Sequence, residues 1–248
     1  MSQLSTLFRR ITRIPQPPRP LFAPWKKLGA VPGLATDPQH PLSASQLGIE
    51  HFRAAPAWNN RIDHLHQAFQ LAPQEGSVLE FGVHRGGSVN WLARWSSSRQ
   101  DPRVFGFDSF EGLPQAWIRT KDGQRYERGH FTVGGLPPVV PNVALVPGFF
   151  EASLPPWLAA QAGPIAFLHN DSDLYSSTQT TLRLLNDRIV PGTVIVFDEL
   201  CDWQGQGQYD NWEAGEWRAL HEWMAECRRE IAVLSRNQSF AAAIQIVR

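Results

Sequence analysis

From residue 60 onward, short apolar runs alternate with stretches in which apolar residues recur every three or four positions. Ile62, Leu65 and Phe69 share one helical face after Asn59 and Asn60, residues suited to a helix cap. Ser77–Phe81 (SVLEF) predicts a buried strand, and residues 86–98 a helix with Val89, Leu92 and Trp95 inward. The same alternation predicts strands at 103–107 (RVFGF), 143–146, 165–169 (IAFLH), 192–197 (GTVIVF) and 231–234, with helices at 151–160, 176–189 and 212–229 between them. Residues 239–247 close the pattern as a last, antiparallel strand.

Strands separated by helices predict an α/β fold, a doubly wound and mostly parallel sheet of seven strands. The excursion at 109–141, rich in Gly, Pro and charge, interrupts the alternation and predicts a lid or substrate wall over a 51–248 domain. Residues 1–50 break the pattern differently. Six prolines in the first 36 residues forbid a long helix, and residues 4–14 (LSTLFRRITRI) form at most a short basic amphipathic helix suited to peripheral membrane contact. The bland alternative is a mobile basic, Pro-rich extension whose residues 1–36 are dispensable for folding.

Charge sharpens this division. The 23 basic and 23 acidic residues cancel, but residues 1–36 hold six basic residues and no acid, leaving 17 basic and 23 acidic groups, a net charge of −6, in the rest. An acidic body argues against nucleic acid as a partner, because phosphate binding needs a basic footprint. No apolar run approaches the ~18 residues of a membrane span. Two cysteines, Cys201 and Cys227, make no disulfide framework, so a reduced, cytoplasmic protein is expected. A homodimer is compatible with the sequence but not specified by it.

In open parallel sheets, ligands bind beyond the carboxyl ends of the strands. Four strands here end in polar residues: Glu80 to Ser88, Asp108-Ser109, His169 to Asp173, and Asp198-Glu199. The first set is a glycine-rich turn into a helix, with Gly82, Gly86 and Gly87 allowing close backbone approach and Ser88 in the first turn. A dinucleotide fingerprint would place His84 where the middle glycine belongs, and its side chain would obstruct a pyrophosphate. A ligand with a carboxylate and no phosphates, such as S-adenosylmethionine, fits better, with Asp108 placed to accept its ribose hydroxyls. An ordinary tight turn is the plain alternative.

Asp171, Asp173, Asp198 and Glu199 bring four carboxylates to adjacent strand ends, where they repel unless a cation or protons intervene. Oxygen-only ligands point to Mg2+. Alternatively, Asp173 caps the following helix and Glu199 faces solvent. Asp171 and Asp173 point the same way if the strand remains extended through them. His169 is a candidate base or orienting group, or a satisfied buried histidine. Trp203 and Trp212, in a loop with six acids and no Lys or Arg between 198 and 216, are candidates to stack on a substrate ring.

The segments LEFGVHRGGSVNWLA, VFGFDSFEGLP, VPGFFEASLP, FLHNDSDLYSST, PGTVIVFDEL and NWEAGEWRAL occur in this order. Together they resemble the macrocin O-methyltransferase (TylF-like) family of class I S-adenosylmethionine-dependent methyltransferases, from about residue 60 onward. The resemblance implies a Rossmann-like methyltransferase sheet. It implies cofactor contacts from Asp108 and from a loop carried by Glu80, Gly82 and Ser88; with Gly86, Gly87 and Ser109 from the turn and the strand end, these make the expected cofactor set. It also implies a Mg2+ site at Asp171, Asp198 and Glu199. Two residues depart from the family pattern: Glu199 stands where many members have a second aspartate, and Asn170 where an apolar residue is usual.

The expected activity is methyl transfer to a hydroxyl of a sugar or glycosylated small molecule, with Asp171 as base and Asp173 and His169 in reserve. A non-catalytic cofactor-binding scaffold of the same fold is the second reading. A nicotinamide oxidoreductase is a third, disfavoured by His84.

Overall fold

The computed structural model describes residues 39–248 apart from 121, 122 and 206. The candidate amphipathic segment at 4–14 lies outside the described residues. The elements in chain order are α1 (Ile49–Ala54), β1 (Ala57–Trp58), α2 (Arg61–Gln70), β2 (Ser77–Phe81), α3 (Gly87–Trp95), β3 (Val104–Asp108), β4 (Trp117–Ile118), β5 (Arg125–Tyr126) and β6 (Val143–Pro147), followed by α4 (Phe150–Ala160), β7 (Ile165–Asn170), α5 (Tyr175–Leu185), β8 (Ile189–Phe197), α6 (Glu216–Cys227), β9 (Ile231–Asn237) and β10 (Ala242–Ile246).

All seven expected strands are present. They lie in one sheet of order β1-β9-β10-β8-β7-β2-β3-β6, with the two-residue β1 as an eighth strand at the edge. β10 runs antiparallel to both neighbours, and every other pairing in this sheet is parallel. The chain runs β2-β3-β6 one way and β7-β8 the other, so the order reverses between β2 and β7, where such sheets open a ligand crevice.

The period of two along each strand decides the layers. Val78, Val194 and Val196 face the layer of α2 and α3, packing with Leu65, Phe69, Val89 and Leu92. Leu79, Phe81, Ile195 and Phe197 face the layer of α4, α5 and α6, packing with Leu154, Leu182, Leu220 and Trp223. Both faces are therefore apolar, as a doubly covered parallel sheet requires.

Two helix boundaries differ from the sequence expectation. The helix expected over 176–189 ends at Leu185, and after a short 3-10 turn Ile189 opens β8 by pairing with Ile165. An apolar residue that continues a helical stripe can equally begin a strand, and here the pairing partner decides. The helix expected over 212–229 is a 3-10 turn at Trp212–Ala214, a non-helical Gly215 and then α6.

The described part of the 1–50 extension is packed. Leu42 exchanges backbone hydrogen bonds with Ile231 (2.8 and 3.0 Å), Leu47 is buried, and Phe52 of α1 sits between Trp203 and Trp217.

Candidate active site

A cavity of about 380 Å3 opens at the carboxyl ends of β2, β3, β7 and β8. Its size suits a small-molecule site. Gly82, His84, Asp108 and Ser109 line one side, and Asp171, Asp173 and Glu199 the other. Arg61 also lines the cavity, and the aromatic residues Trp117, Tyr126, Phe131, Phe149 and Phe150 form much of the wall.

Backbone bonds beyond the strand tips fix this edge. Gly82 N donates to Phe107 O (2.9 Å), Asp171 N to Phe81 O (2.8 Å) and Asp198 N to Asn170 O (2.9 Å). At φ +89°, Gly82 passes so close to the next strand that a Cβ would lie 1.7 Å from Asp171 O. Only glycine fits there. Gly86 caps α3 in the left-handed region (φ +81°), and α3 begins at Gly87.

Asp108 is clamped from behind. Its Oδ2 accepts from His84 N and its Oδ1 from Phe110 N, both at 2.7 Å. His84 (φ +48°) and Phe110 (φ +58°) are left-handed residues, so the carboxylate supports two strained turns that shape the cavity. Ser109 Oγ donates to Gly112 O (2.9 Å) at the start of the excursion.

Glu80 is fully buried and does not line the cavity. It accepts from Ser88 Oγ (3.1 Å) and pairs with His169 Nδ1 (2.9 Å). Of the seven expected cofactor residues, Gly82, Asp108 and Ser109 reach the cavity, while Glu80 and Ser88 join beneath the loop.

The β7–β8 side is crowded with charge. Asp171, Asp173 and Glu199 each offer a carboxylate oxygen within 4.8 Å of the other two. Asp173 arrives there by an unexpected route: β7 ends at Asn170, and Asp173 is itself left-handed (φ +62°). It does not cap α5, whose cap position, Leu174, makes no side-chain cap bond. Asp198, expected in the metal set, is instead turned towards Arg61 Nε (2.9 Å) and His169 Nε2 (3.7 Å). His169 is fully buried between Glu80 and Asp198 and does not line the cavity.

Arg61 also forms an ion pair and hydrogen bond with Asp171. Sequence reading missed this residue, which lies 110 positions from Asp171, because the capped start of α2 carries no motif.

The protonation balance follows from this crowding. Burial, and then the Asp198 charge, push the Asp171 carboxyl up to about 6 against the pull of Arg61 and His169. Burial and neighbouring carboxylates hold Asp173 and Glu199 well above the usual carboxylate range. For Asp198, the upward push of burial is outweighed by Arg61 and His169, so its carboxyl is held low. For His169, burial opposes the charge but Asp198 and Glu80 prevail, raising it to about 10.

Asn170, the departure from the family pattern, has a partner. Its Nδ2 donates to Glu216 Oε1 (2.5 Å) and to Thr178 Oγ1 (2.9 Å), and Glu216 Oε2 accepts from Glu199 N (3.0 Å). Glu216 is fully buried and ties α6 to the tip of β8.

The expected stacking residues pack elsewhere. Trp203 stacks on Phe52 and donates Nε1–H to Ala241 O (3.1 Å), and Trp212 packs edge-on to Trp217. The aromatic wall comes instead from the 109–141 excursion and the start of α4. There β4 and β5 form a small hairpin on which Trp117 stacks with Tyr126 (5.3 Å). Arg119 anchors this hairpin to the body, with its guanidinium 4.7 Å from the Phe240 ring and 5.8 Å from that of Tyr209.

Among the described residues, no helix is long and apolar enough to cross a membrane. The fold is shared with solved structures. A calicheamicin methyltransferase superposes with a TM-score of 0.56 at 24% identity, covering 74% of this chain and 76% of that one. The O-methyltransferase NovP superposes with a TM-score of 0.53 at 23% identity, covering 76% and 80%. Among curated sequences, the 8-demethyl-8-(2,3-dimethoxy-alpha-L-rhamnosyl)-tetracenomycin-C 4'-O-methyltransferase of Streptomyces olivaceus is 30% identical over 160 residues, 56% of this chain and 59% of that protein. The demethyldecarbamoylnovobiocin O-methyltransferase of Streptomyces niveus is 29% identical over 141 residues, 50% and 52%. The chain thus spans between half and three fifths of the length of these curated relatives. Residues 55–222 match the model of the macrocin-O-methyltransferase (TylF) family, and on that match the chain belongs to this family.

Proposed function

We propose that the protein transfers a methyl group from S-adenosylmethionine to a hydroxyl oxygen of a sugar or glycosylated small molecule. One observation carries this reading. A single cavity has a clamped acid and a glycine turn on one side, a cluster of carboxylates on the other and aromatic rings in its wall. The names of the two curated relatives, both O-methyltransferases and one acting on a rhamnosyl compound, support the substrate class.

Bound S-adenosylmethionine would supply a methyl group already activated by its sulfonium. Gly82 leaves room for its amino-acid end, and Asp108 is the acceptor for its ribose hydroxyls. Trp117, Tyr126 and Phe131 exclude water and present ring faces to the acceptor. Asp171 takes the proton from the acceptor hydroxyl as the oxygen attacks in line. The donor set also fits a hard divalent ion: three carboxylates converge, and Glu199 Oε2 is buried without a hydrogen-bond partner. Asp171, Asp173 and Glu199 would hold such an ion. Its chemistry would be to orient and acidify the acceptor hydroxyl.

The test is incubation with methyl-labelled S-adenosylmethionine and a panel of nucleotide-linked and aglycone-linked deoxysugars, followed by mass spectrometry. A gain of one methyl on a sugar oxygen is expected. A protein that S-adenosylmethionine stabilises against heat, but that methylates nothing in the panel or in extracts of its host, would be a binding scaffold instead.

A further inference from the structure

The carboxylate cluster already contains a cation, and that cation is part of the chain. Arg61 is the first residue of α2, set in place by Asn60, whose side chain accepts from Asp63 N (2.8 Å). Its guanidinium reaches Asp171 through Nη2 and Asp198 through Nε, so its two edges serve the tips of two adjacent strands. Arginine suits this place because its planar fork stays charged and can engage two carboxylates at once.

The arrangement leaves one residue with two claims on it. Asp171 is Arg61's partner and also one corner of the trio with Asp173 and Glu199. A divalent ion in that trio would bring two positive charges up against the guanidinium, competing for the same carboxylate. Arg61 has room to yield. Its side chain is 43% exposed, and it also lines a second, smaller crevice with Asn59, Asn60, Asp198, Asn237 and Ser239. Asp198, its other partner, lies in that crevice and is not part of the trio.

We propose that Arg61 is an internal counter-ion that exchanges with the divalent ion: it holds Asp171 while the trio is empty and gives it up, keeping Asp198, when the ion binds. Arg61 then sets the metal affinity of the site and keeps the crowded carboxylates in place without metal. This inference rests on the divalent-ion reading above, and its test can fail separately from that reading.

The test uses Mn2+ as the probe, with the full chain and neither cofactor nor acceptor present. Free Mn2+ is counted by electron paramagnetic resonance. Arg61→Gln should bind Mn2+ at least tenfold more tightly than the wild type, Arg61→Lys should fall between them, and Asp173→Asn should bind more weakly. Unchanged or weaker binding by a folded Arg61→Gln, with the wild type binding, overturns the exchange and leaves the metal. No Mn2+ binding by either protein removes the metal and the exchange together but leaves methyl transfer standing. A measurement on the unmutated protein covers a variant that fails to fold. In protein labelled with 15N-arginine, saturating Mg2+ should shift the Arg61 side-chain resonance, and an unmoved resonance under Mg2+ saturation overturns the proposal.

Discussion

At the tips of β2 and β3, the carboxylate that lines the cavity, Asp108, is held by two backbone N–H groups, and the chain clears the next strand by means of a glycine. At the tips of β7 and β8, side chains are held by other side chains: Asp171 and Asp198 by Arg61, Asp198 and Glu80 by His169, and Asn170 by Glu216, which also takes the backbone N–H of Glu199. The first half is a matter of backbone shape, the second of charge balance. The difference suits the proposed division of labour. A cofactor of constant form is met by a rigid cradle, while a reaction that moves a proton is met by groups whose charges are poised against one another.

The largest expected effect falls on the charge-built half. Asp171→Asn removes the proposed proton acceptor, and general-base groups contribute typically ~100- to 10,000-fold. Methyl transfer should fall by about 1,000-fold in kcat, measured under saturating cofactor, while S-adenosylmethionine affinity changes little. A variant that keeps a tenth of its turnover would move the base elsewhere. The shape-built half should respond in stability instead. Gly82→Ala forces a Cβ against Asp171 O at φ +89°. Left-handed strain and overpacking each cost about 1–3 kcal/mol, so a loss on the order of 3 kcal/mol is expected in chemical denaturation. A Gly82→Ala variant as stable as the wild type would mean that the β2–β7 junction is loose.

Asp108 tests whether the two halves are as separate as they look. Asp108→Ala removes a charge-assisted acceptor worth ~1.5–3 kcal/mol, so cofactor affinity should drop roughly tenfold to a hundredfold by calorimetry. Because Asp108 also supports the turns at His84 and Phe110, the melting temperature should fall with it. Intact affinity in a folded variant would remove Asp108 from the cofactor site.

The same contrast explains what could be read in advance. The strands and the doubly covered sheet were legible because apolar period and turn residues are local signals: Ser77–Phe81 reads as a strand from five letters. Gly82, Asp108 and Ser109 were legible because they follow those strands directly. Arg61 and Glu216 were not, since their meaning depends on partners 110 and 17 residues away that meet them only in the fold. The expected direction of Asp171 and Asp173 assumed an extended chain. The trio forms instead through a left-handed Asp173, which no pattern of residue types announces. Trp203 and Trp212 were candidates because tryptophan in a polar loop suggests a ligand, yet aromatic packing against Phe52 and Trp217 claims them.

Glu216 carries the smallest and most diagnostic prediction. It is fully buried and its carboxyl is held well above the ordinary value of 4.5, first by burial and against the help of the Glu199 backbone bond, with Asp198, Asp173 and Asp171 adding to the rise. A group whose folded value is raised stabilises the fold fully below its unfolded value and loses that stabilisation as pH climbs towards the folded one. Glu216→Gln keeps the shape, keeps an oxygen for Glu199 N and cannot ionise. It should cost about 1 kcal/mol in acid, the scale of one disturbed hydrogen bond. From about pH 4.5 upward, the wild type should lose stability relative to the Glu216→Gln variant by up to about 1.4 kcal/mol per pH unit, so the variant's deficit shrinks and then reverses. Denaturation curves of the two proteins at about pH 4, 5, 6 and 7 measure this directly. Parallel curves would mean that Glu216 titrates alike in the folded and unfolded chain, with Asn170 and Glu199 N supporting its charge enough to offset burial, and that the β7–β8 half tolerates one more negative charge than its geometry suggests.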